Sequence, residues 1–178
     1  NDGFLAAPVV DEGPIRLFAA RHPLLLGQKR SADVVPLELT LGDPYRLLVV
    51  TGPNTGGKTV TLKTVGLLAV MALCGVPIPA ALGTQIPFLD GVFVDIGDEQ
   101  GIAQNLSTFS GHVKRIARCL QQAGARSLVL LDELGAGTDP DEGGALGYAV
   151  LEALAARGTL AVVTTHLGRL KDFAYEKP

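Results

Sequence analysis

The sequence has no tryptophan, one methionine and two cysteines among its 178 residues, and 5% of its residues are aromatic. The two cysteines form neither a CxxC pair nor a metal-ligand spacing, which argues against a disulfide-stapled secreted domain and against a cysteine-based zinc site. Cys74 and Cys119 both fall in apolar helical stretches. We therefore expect buried thiols in a cytoplasmic, reducing environment.

An excess of one charge sign and a long hydrophobic run are also missing. Fifteen basic and 18 acidic residues give a net charge of −3, so a strongly basic nucleic-acid-binding module is disfavoured, while a local basic patch stays open. The apolar run from Val65 to Val76 is too short to span a membrane, and no membrane partner is expected. With 47% hydrophobic residues, the chain suits one well-packed domain.

Glycine, by contrast, is frequent, and one glycine-rich segment organises the chain. It fits the phosphate-loop pattern of Gly, four residues and Gly-Lys-Thr, and reads Gly52-Pro53-Asn54-Thr55-Gly56-Gly57-Lys58-Thr59. An apolar run up to Thr51 predicts a buried strand before it, and apolar residues at helical spacing follow Lys58. A chance match of a glycine-rich turn is the alternative, and this strand–loop–helix context disfavours it.

The loop has the chemistry of a nucleotide site. Glycines let the backbone N–H groups wrap round an anion at the positive end of a helix. Lys58 can reach the β- and γ-phosphates of a nucleotide, and the Thr59 hydroxyl can ligate Mg²⁺. The expected ligands are therefore ATP and Mg²⁺.

Residues 1–14 are predicted to be an irregular lead-in, and residues 15–178 to form the domain. Ile15 to Ala20 and Val34 to Leu41 alternate in polarity and predict a small antiparallel subdomain. The polar loop from Gly27 to Asp33 between them is either a site for the nucleotide base or a solvated connection.

The remaining chain alternates strands with helices. A loop from Gly75 to Pro87, strands at 91–96, 127–131 and 159–164, and helices at 107–124, 141–157 and around 170–173 are predicted. The fold class is therefore α/β with a largely parallel sheet, and functional loops should gather at the carboxyl ends of its strands.

Two carboxylates follow directly on the continuous apolar strand at 127–131. Asp132 can hold Mg²⁺ together with Thr59, and Glu133 is then placed to polarise the attacking water. Carboxylates that merely cap a turn are the alternative.

Three further polar residues are candidates for the site or for structural roles. His166 ends the neighbouring strand and can sense the γ-phosphate, or it is a structural histidine. Gln100 can position the metal or the water, or it is a solvated loop residue. His112 is interpreted as a surface or helix-packing residue rather than a ligand.

Several segments together resemble the ATPase domain of the MutS family, an ABC-type branch of the phosphate-loop ATPases. Besides the loop these are Arg21-His22-Pro23, Ser107-Thr108-Phe109, Asp132 to Thr138, and Thr164-Thr165-His166. The segments Asp95 to Gln100 and Ser110-Gly111-His112 are more similar to the second bacterial paralogue, the branch that carries a nuclease domain.

The resemblance implies a composite site in a homodimer. Ser107 and Thr108 match the family signature that completes the partner subunit's nucleotide site, Asp139 would face the partner, and Asn54 is the family's phosphate-loop asparagine. The family's adenine-stacking aromatic has no clear counterpart between Ser31 and Val35.

The function expected from this resemblance is Mg-dependent ATP hydrolysis as a dimerisation switch. The parent protein would act on branched DNA in recombination control, or in ribosome rescue, with nuclease activity outside this chain. We expect the chain to be a C-terminally truncated fragment of it. The ATPase domain of a mismatch-repair protein, a transport ATPase and a nucleotide-holding scaffold without turnover are the alternatives.

Overall fold

The structure is a computed structural model that describes residues 3–52, 56–97 and 105–176. In chain order the strands are β1 (Phe4–Leu5), β2 (Val9–Val10), β3 (Ile15–Ala20), β4 (Leu37–Leu41), β5 (Leu47–Thr51), β6 (Ile78–Pro79), β7 (Ile86–Pro87), β8 (Gly91–Asp95), β9 (Ser127–Leu131) and β10 (Leu160–Thr165). The helices are α1 (Pro23–Leu26), α2 (Lys58–Leu73), α3 (Asn105–Gln122), α4 (Pro140–Ala156) and α5 (Arg169–Glu176).

A four-stranded sheet forms the centre of the described structure. Its strand order is β5-β10-β9-β8, and all three pairings are parallel. The predicted α/β class with a mostly parallel sheet is confirmed. Parallel strands all end at the same edge of the sheet, which brings the segments after β5, β9 and β10 together.

Helices cover both faces of this sheet. On one face α2 packs through Leu62, Val65 and Leu68 against a cluster that contains Leu130 and Val162. On the other face Val129, Val163 and their neighbours pack against α3, α4 and α5. Burial on both faces explains why β9 and β10 are continuous apolar runs rather than alternating ones.

The N-terminal part forms the predicted small antiparallel unit. β3 pairs with β4, and the connection between them contains α1 and a single 3-10 turn at Ser31–Asp33. The prediction of an irregular lead-in was wrong in part, because β1 pairs with β6 and β2 pairs with β7. The predicted loop at 75–87 therefore contains two short strands, since local sequence does not reveal pairing between distant two-residue segments.

Two further details differ from the sequence-based expectation. α3 begins at Asn105, so Ser107 lies inside the first turn instead of capping the helix. Cys119 is buried as predicted, but Cys74 is exposed because it follows the last residue of α2, where the helix ends. Burial and, to a smaller extent, the nearby Asp95 carboxylate raise the pKa of the Cys119 thiol.

Within the described ranges, no helix has both the length and the apolar character needed to cross a bilayer.

Candidate functional site

The phosphate-loop segment joins β5 to α2, as its sequence predicted. Gly57 has a left-handed φ of 79° and stands directly before α2, where its carbonyl accepts hydrogen bonds from the N–H (2.9 Å) and the hydroxyl (3.1 Å) of Thr61. The Lys58 side chain is buried, with 5% exposure, and its ammonium donates to the Gly52 carbonyl. The lysine ammonium is thus held against Gly52, and the residue itself begins α2.

The described residues leave space for an anion beside the glycines of this segment. A Cβ added to Gly52, Gly56 or Gly57 would meet no heavy atom of the described residues within 4 Å. Free space next to glycine backbone, a buried lysine and the start of a helix fit a phosphate group. Thr59, the next residue of α2, is half-buried and presents the hydroxyl expected of an Mg²⁺ ligand.

Asp132 and Glu133 follow β9 and are tied together by a residue of the neighbouring strand. The Thr164 hydroxyl donates to the Asp132 carboxylate and accepts the Glu133 N–H at 2.9 Å. The Thr164 carbonyl accepts the N–H of Leu134 at 2.8 Å. One threonine therefore sets the orientation of the buried aspartate and the course of the backbone at the exposed glutamate.

Glu133 has a φ of 50°, which lies in the left-handed region that side chains other than glycine rarely adopt. The three hydrogen bonds that surround it, including Ala136 N–H to the Glu133 carbonyl at 2.9 Å, hold the chain in this turn. Backbone strain that is over-determined by its surroundings is often found at functional sites. The turn directs Glu133 out of the sheet edge while Asp132 stays buried.

The sheet register aligns the predicted site segments. Thr165 at the end of β10 is paired with Thr51 at the end of β5, and Val163 is paired with Leu131. β10 separates the phosphate-loop strand from the strand of Asp132, which places these two strands about 10 Å apart. This distance suits a phosphate chain and metal ion held between the two loops.

Two cavities open at this edge of the domain. One, of about 480 Å³, is lined by Asp132, Glu133 and the loop after them, and by Asp95 and His112. The other, of about 590 Å³, lies beside Gly56 and Gly57 and is walled by residues of the β3–β4 connection. Both volumes are in the usual range for small-ligand sites.

The second cavity is lined by His22 of the Arg21-His22-Pro23 segment and by residues near it. His22, Val34 and Val35 line it opposite Val60 of α2. Arg21 does not line it but supports it, since its guanidinium donates to the carbonyls of Val34 and Ala19, both at 3.2 Å. Burial and, to a smaller extent, the charge of Lys63 lower the pKa of His22, which favours the neutral imidazole.

The loop after Glu133 packs against α4 through two glycines. Gly135 has a left-handed φ of 84°, and a Cβ on Gly143 would overlap its carbonyl oxygen. The loop ends where the Asp139 carboxylate accepts the N–H groups of Asp141 (2.9 Å) and Glu142 (3.4 Å). This N-cap and the glycine contact set the position of the whole turn that follows Asp132 and Glu133.

The glycine contact predicts a difference between two adjacent substitutions. Gly143→Ala is expected to lower the free energy of unfolding by about 1–3 kcal/mol, because the new methyl group has no space. Gly144→Ala is the matched control: its Cβ would meet only Arg169 Cδ at 3.7 Å, and alanine favours the helix by up to about 1 kcal/mol. Thermal unfolding of both variants measures the difference, and equal stabilities would show that the loop does not depend on this contact.

Not every predicted site residue can be placed. Pro53, Asn54, Thr55 and Gln100 lie outside the described residues, and of Ser107 and Thr108 only the helical backbone is described. His166 follows β10 directly, as predicted, and is exposed. Its role at the γ-phosphate remains a prediction.

Sequence reasoning did not predict which residues support the site from other elements. These are Thr164, which joins the two carboxylates, and Asp95 with its donors His112 and Arg115. One signal in the sequence could have indicated them. Asp95 and Thr164, like Asp132, are polar residues near the carboxyl end of an apolar strand. His112 packs α3 against β8 through its hydrogen bond to Asp95, which agrees with its interpretation as a helix-packing residue, and it also lines the cavity of Asp132.

Comparison with known proteins gives a consistent answer. Residues 48–178 match the family described as MutS domain V. The chain belongs to the MutS family. It is 58% identical over 177 residues to Endonuclease MutS2 of Thermomicrobium roseum, and this match covers 97% of the chain and 22% of that protein.

Two further relatives carry the same name. The identity is 54% over 167 residues for Endonuclease MutS2 of Halothermothrix orenii and 53% over 167 residues for that of Shouchella clausii. Each match covers 94% of this chain and 20% or 21% of the relative. The expected likeness to the second bacterial MutS paralogue is confirmed. The chain spans about a fifth of the length of these relatives.

Proposed function

We propose that this domain binds ATP with Mg²⁺ and hydrolyses it as a conformational switch. The observation that carries the proposal is the shared sheet edge, where the phosphate loop with buried Lys58 lies one strand away from Asp132 and Glu133. Lys58 and the N–H groups of the loop bind the phosphates, and Glu133 orients and polarises the attacking water. Mg²⁺, when bound by Thr59 and Asp132 with several waters, neutralises phosphate charge.

The cavity beside Gly56 and Gly57 is the place we assign to the adenine base. Its wall includes Val34 and Val35, so apolar packing replaces the aromatic stacking of other family members. The neutral imidazole of His22 adds a polar group without a charge. This assignment agrees with the position expected from the sequence, between Arg21 and Val35.

Arg21→Ala is expected to weaken ATP binding about tenfold, because the loss of its hydrogen bonds releases the Val34 segment. Binding of inorganic tripolyphosphate, which has no base, should stay unchanged. Arg30→Ala is the control: Arg30 pairs with Asp33 in the same connection, but its side chain is 85% exposed. Equilibrium titration with both ligands tests the assignment, and an equal loss for both would place the base elsewhere.

We also propose that the site is composite and of ABC type. Strand β10 lies between the phosphate-loop strand and the strand of Asp132, and α3 offers the first turn that contains Ser107 and Thr108. In a two-fold homodimer each subunit would present this turn to the γ-phosphate of the other. ATP would then join the subunits and hydrolysis would release them.

A mixing experiment in the full-length protein tests the composite site. Lys58→Ala chains and Ser107→Ala chains are each expected to be nearly inactive. In the mixed heterodimer one site combines an intact loop with an intact signature, so ATPase activity should rise above that of either variant alone. If heterodimers form and activity is not restored, Ser107 acts within its own subunit and the composite site is wrong.

A further proposal concerns the role of the longer parent protein. We propose cytoplasmic control of recombination, with branched DNA contacted mainly by other domains, and ribosome rescue as a second role to be tested. Any nuclease activity is assigned outside this chain. A mismatch-repair protein is disfavoured by the identities above, and a transport ATPase by Ser107-Thr108-Phe109-Ser110-Gly111 in place of a transporter signature. A scaffold without turnover is tested by Glu133→Gln below.

A further inference from the structure

Asp95 is a buried carboxylate at the carboxyl end of the edge strand β8. Its side chain is 2% exposed, and it accepts hydrogen bonds from His112 Nδ1 at 2.7 Å and from Arg115 Nε. Because a carboxylate can only accept, His112 carries its proton on Nδ1. Both donors come from α3 and are three residues apart, on one face of the helix.

The same residue is linked to the hydrolysis carboxylates through the backbone. The Asp95 carbonyl accepts the N–H of Asp132 at 2.8 Å. Asp95 therefore contacts the segment of Asp132 with its main chain and α3 with its side chain. A continuous set of hydrogen bonds runs from the Thr164–Asp132 pair to α3.

The N-terminal half of α3 needs such a support. In the described structure the buried apolar residues of α3 begin at Ile116 and continue with Cys119, and Ala123 follows directly after the helix. Before Ile116, the side chains of Phe109, His112 and Val113 line the cavity of about 480 Å³ and do not lie in a closed core. Hydrogen bonds from His112 and Arg115 to Asp95 hold this part of the helix to the sheet.

We propose that Asp95, His112 and Arg115 form a clamp that positions the first turn of α3, with Ser107 and Thr108, relative to the sheet edge of Asp132. His112 lies one helical turn after Thr108, so a rotation or shift at the clamp is transmitted directly to that turn. The clamp residues are positioning residues: they act on the γ-phosphate of the partner subunit through the signature turn. This proposal rests on the composite site proposed above.

Two substitutions of His112 separate the clamp from other roles. The amide nitrogen of asparagine can replace Nδ1 and keep the bond to Asp95, whereas that of glutamine lies near the position of Nε2 and loses it. In the full-length protein, His112→Gln is expected to lower kcat about tenfold to a hundredfold, as small displacements of catalytic groups do. His112→Asn should stay within about threefold of the parent, and ATP affinity should be unchanged in both.

Lys114→Gln, at an exposed position of the same helix, is the control and should leave kcat unchanged. A reversed order, with His112→Asn inactive and His112→Gln active, would show that the other ring nitrogen acts directly in the cavity. Equal kcat for all variants would also overturn the clamp.

Complementation between variants shows in which subunit the clamp acts. A variant that is only less stable would not produce the expected pattern of restored activity. His112→Gln chains mixed with Lys58→Ala chains should regain activity, since one site then has an intact loop and an intact signature. His112→Gln chains mixed with Ser107→Ala chains should not, because both signatures are defective. The opposite pattern would mean that His112 serves the nucleotide of its own subunit and would reject the proposal.

The mixture of Lys58→Ala and Ser107→Ala keeps the two proposals distinguishable. If that mixture regains activity and the His112→Gln mixtures do not follow the expected pattern, the clamp is wrong and the composite site stands. If that mixture stays inactive although heterodimers form, the composite site itself is wrong.

Discussion

Glu133→Gln is expected to preserve ATP binding and to slow hydrolysis by about 10²–10⁴-fold, the range of general-base contributions. Glutamine keeps the size and shape of the side chain but has no basic carboxylate. The hydrogen bonds that hold the left-handed turn use the main chain of residue 133 and Thr164, so they are unaffected by the change. The turn and the position of Asp132 should therefore remain as they are.

Single-turnover measurement of phosphate release, with labelled ATP binding in parallel, checks this prediction. Glu12→Gln is the control for net charge, because it removes one carboxylate at an exposed position distant in sequence from Glu133. Hydrolysis at the parent rate in the Glu133 variant would mean that another group activates the water. Parent and variant that both lack turnover would instead favour the nucleotide-holding scaffold.

Lys58→Ala is expected to weaken ATP binding on the order of a hundredfold, because a charge-assisted contact to the phosphates contributes about 1.5–3 kcal/mol. The side chain is buried and directed to the Gly52 carbonyl, so its charge is already fixed at the loop before a ligand binds. Little side-chain entropy is lost on binding, which makes the full contact energy available to the complex.

Titration with labelled ATP measures the loss of affinity. Lys171→Ala, which removes an exposed lysine from α5, should leave the affinity unchanged. Thermal unfolding of the Lys58 variant without nucleotide accompanies the titration, since a folded protein with weak binding is the expected result. Unchanged affinity would reject the assignment of the phosphate loop.

Local sequence patterns determined the class of the fold and the two central site segments. Strand β9 was predicted with its observed bounds, and β10 to within one residue at each end, because strands buried on both faces are continuous apolar runs between polar turns. The phosphate loop and the carboxylates Asp132 and Glu133 could be proposed as site residues because each is a short contiguous motif directly after such a strand. The short strands β1, β2, β6 and β7 were not predicted, because pairing partners 73 to 77 residues apart leave no periodic pattern.

Only the tertiary structure decided how those segments are supported. Thr164 meets Asp132 across 32 residues of sequence, Arg115 meets Asp95 across 20, and Arg21 holds the carbonyl of Val34 across 13. The exposure of Cys74 and the contact of Gly135 with Gly143 likewise depend on how elements end and pack. A sequence pattern reports which residues are apolar and how they repeat along one element. The direction in which a polar side chain points, and the atom it meets on another element, are set by strand register and helix packing.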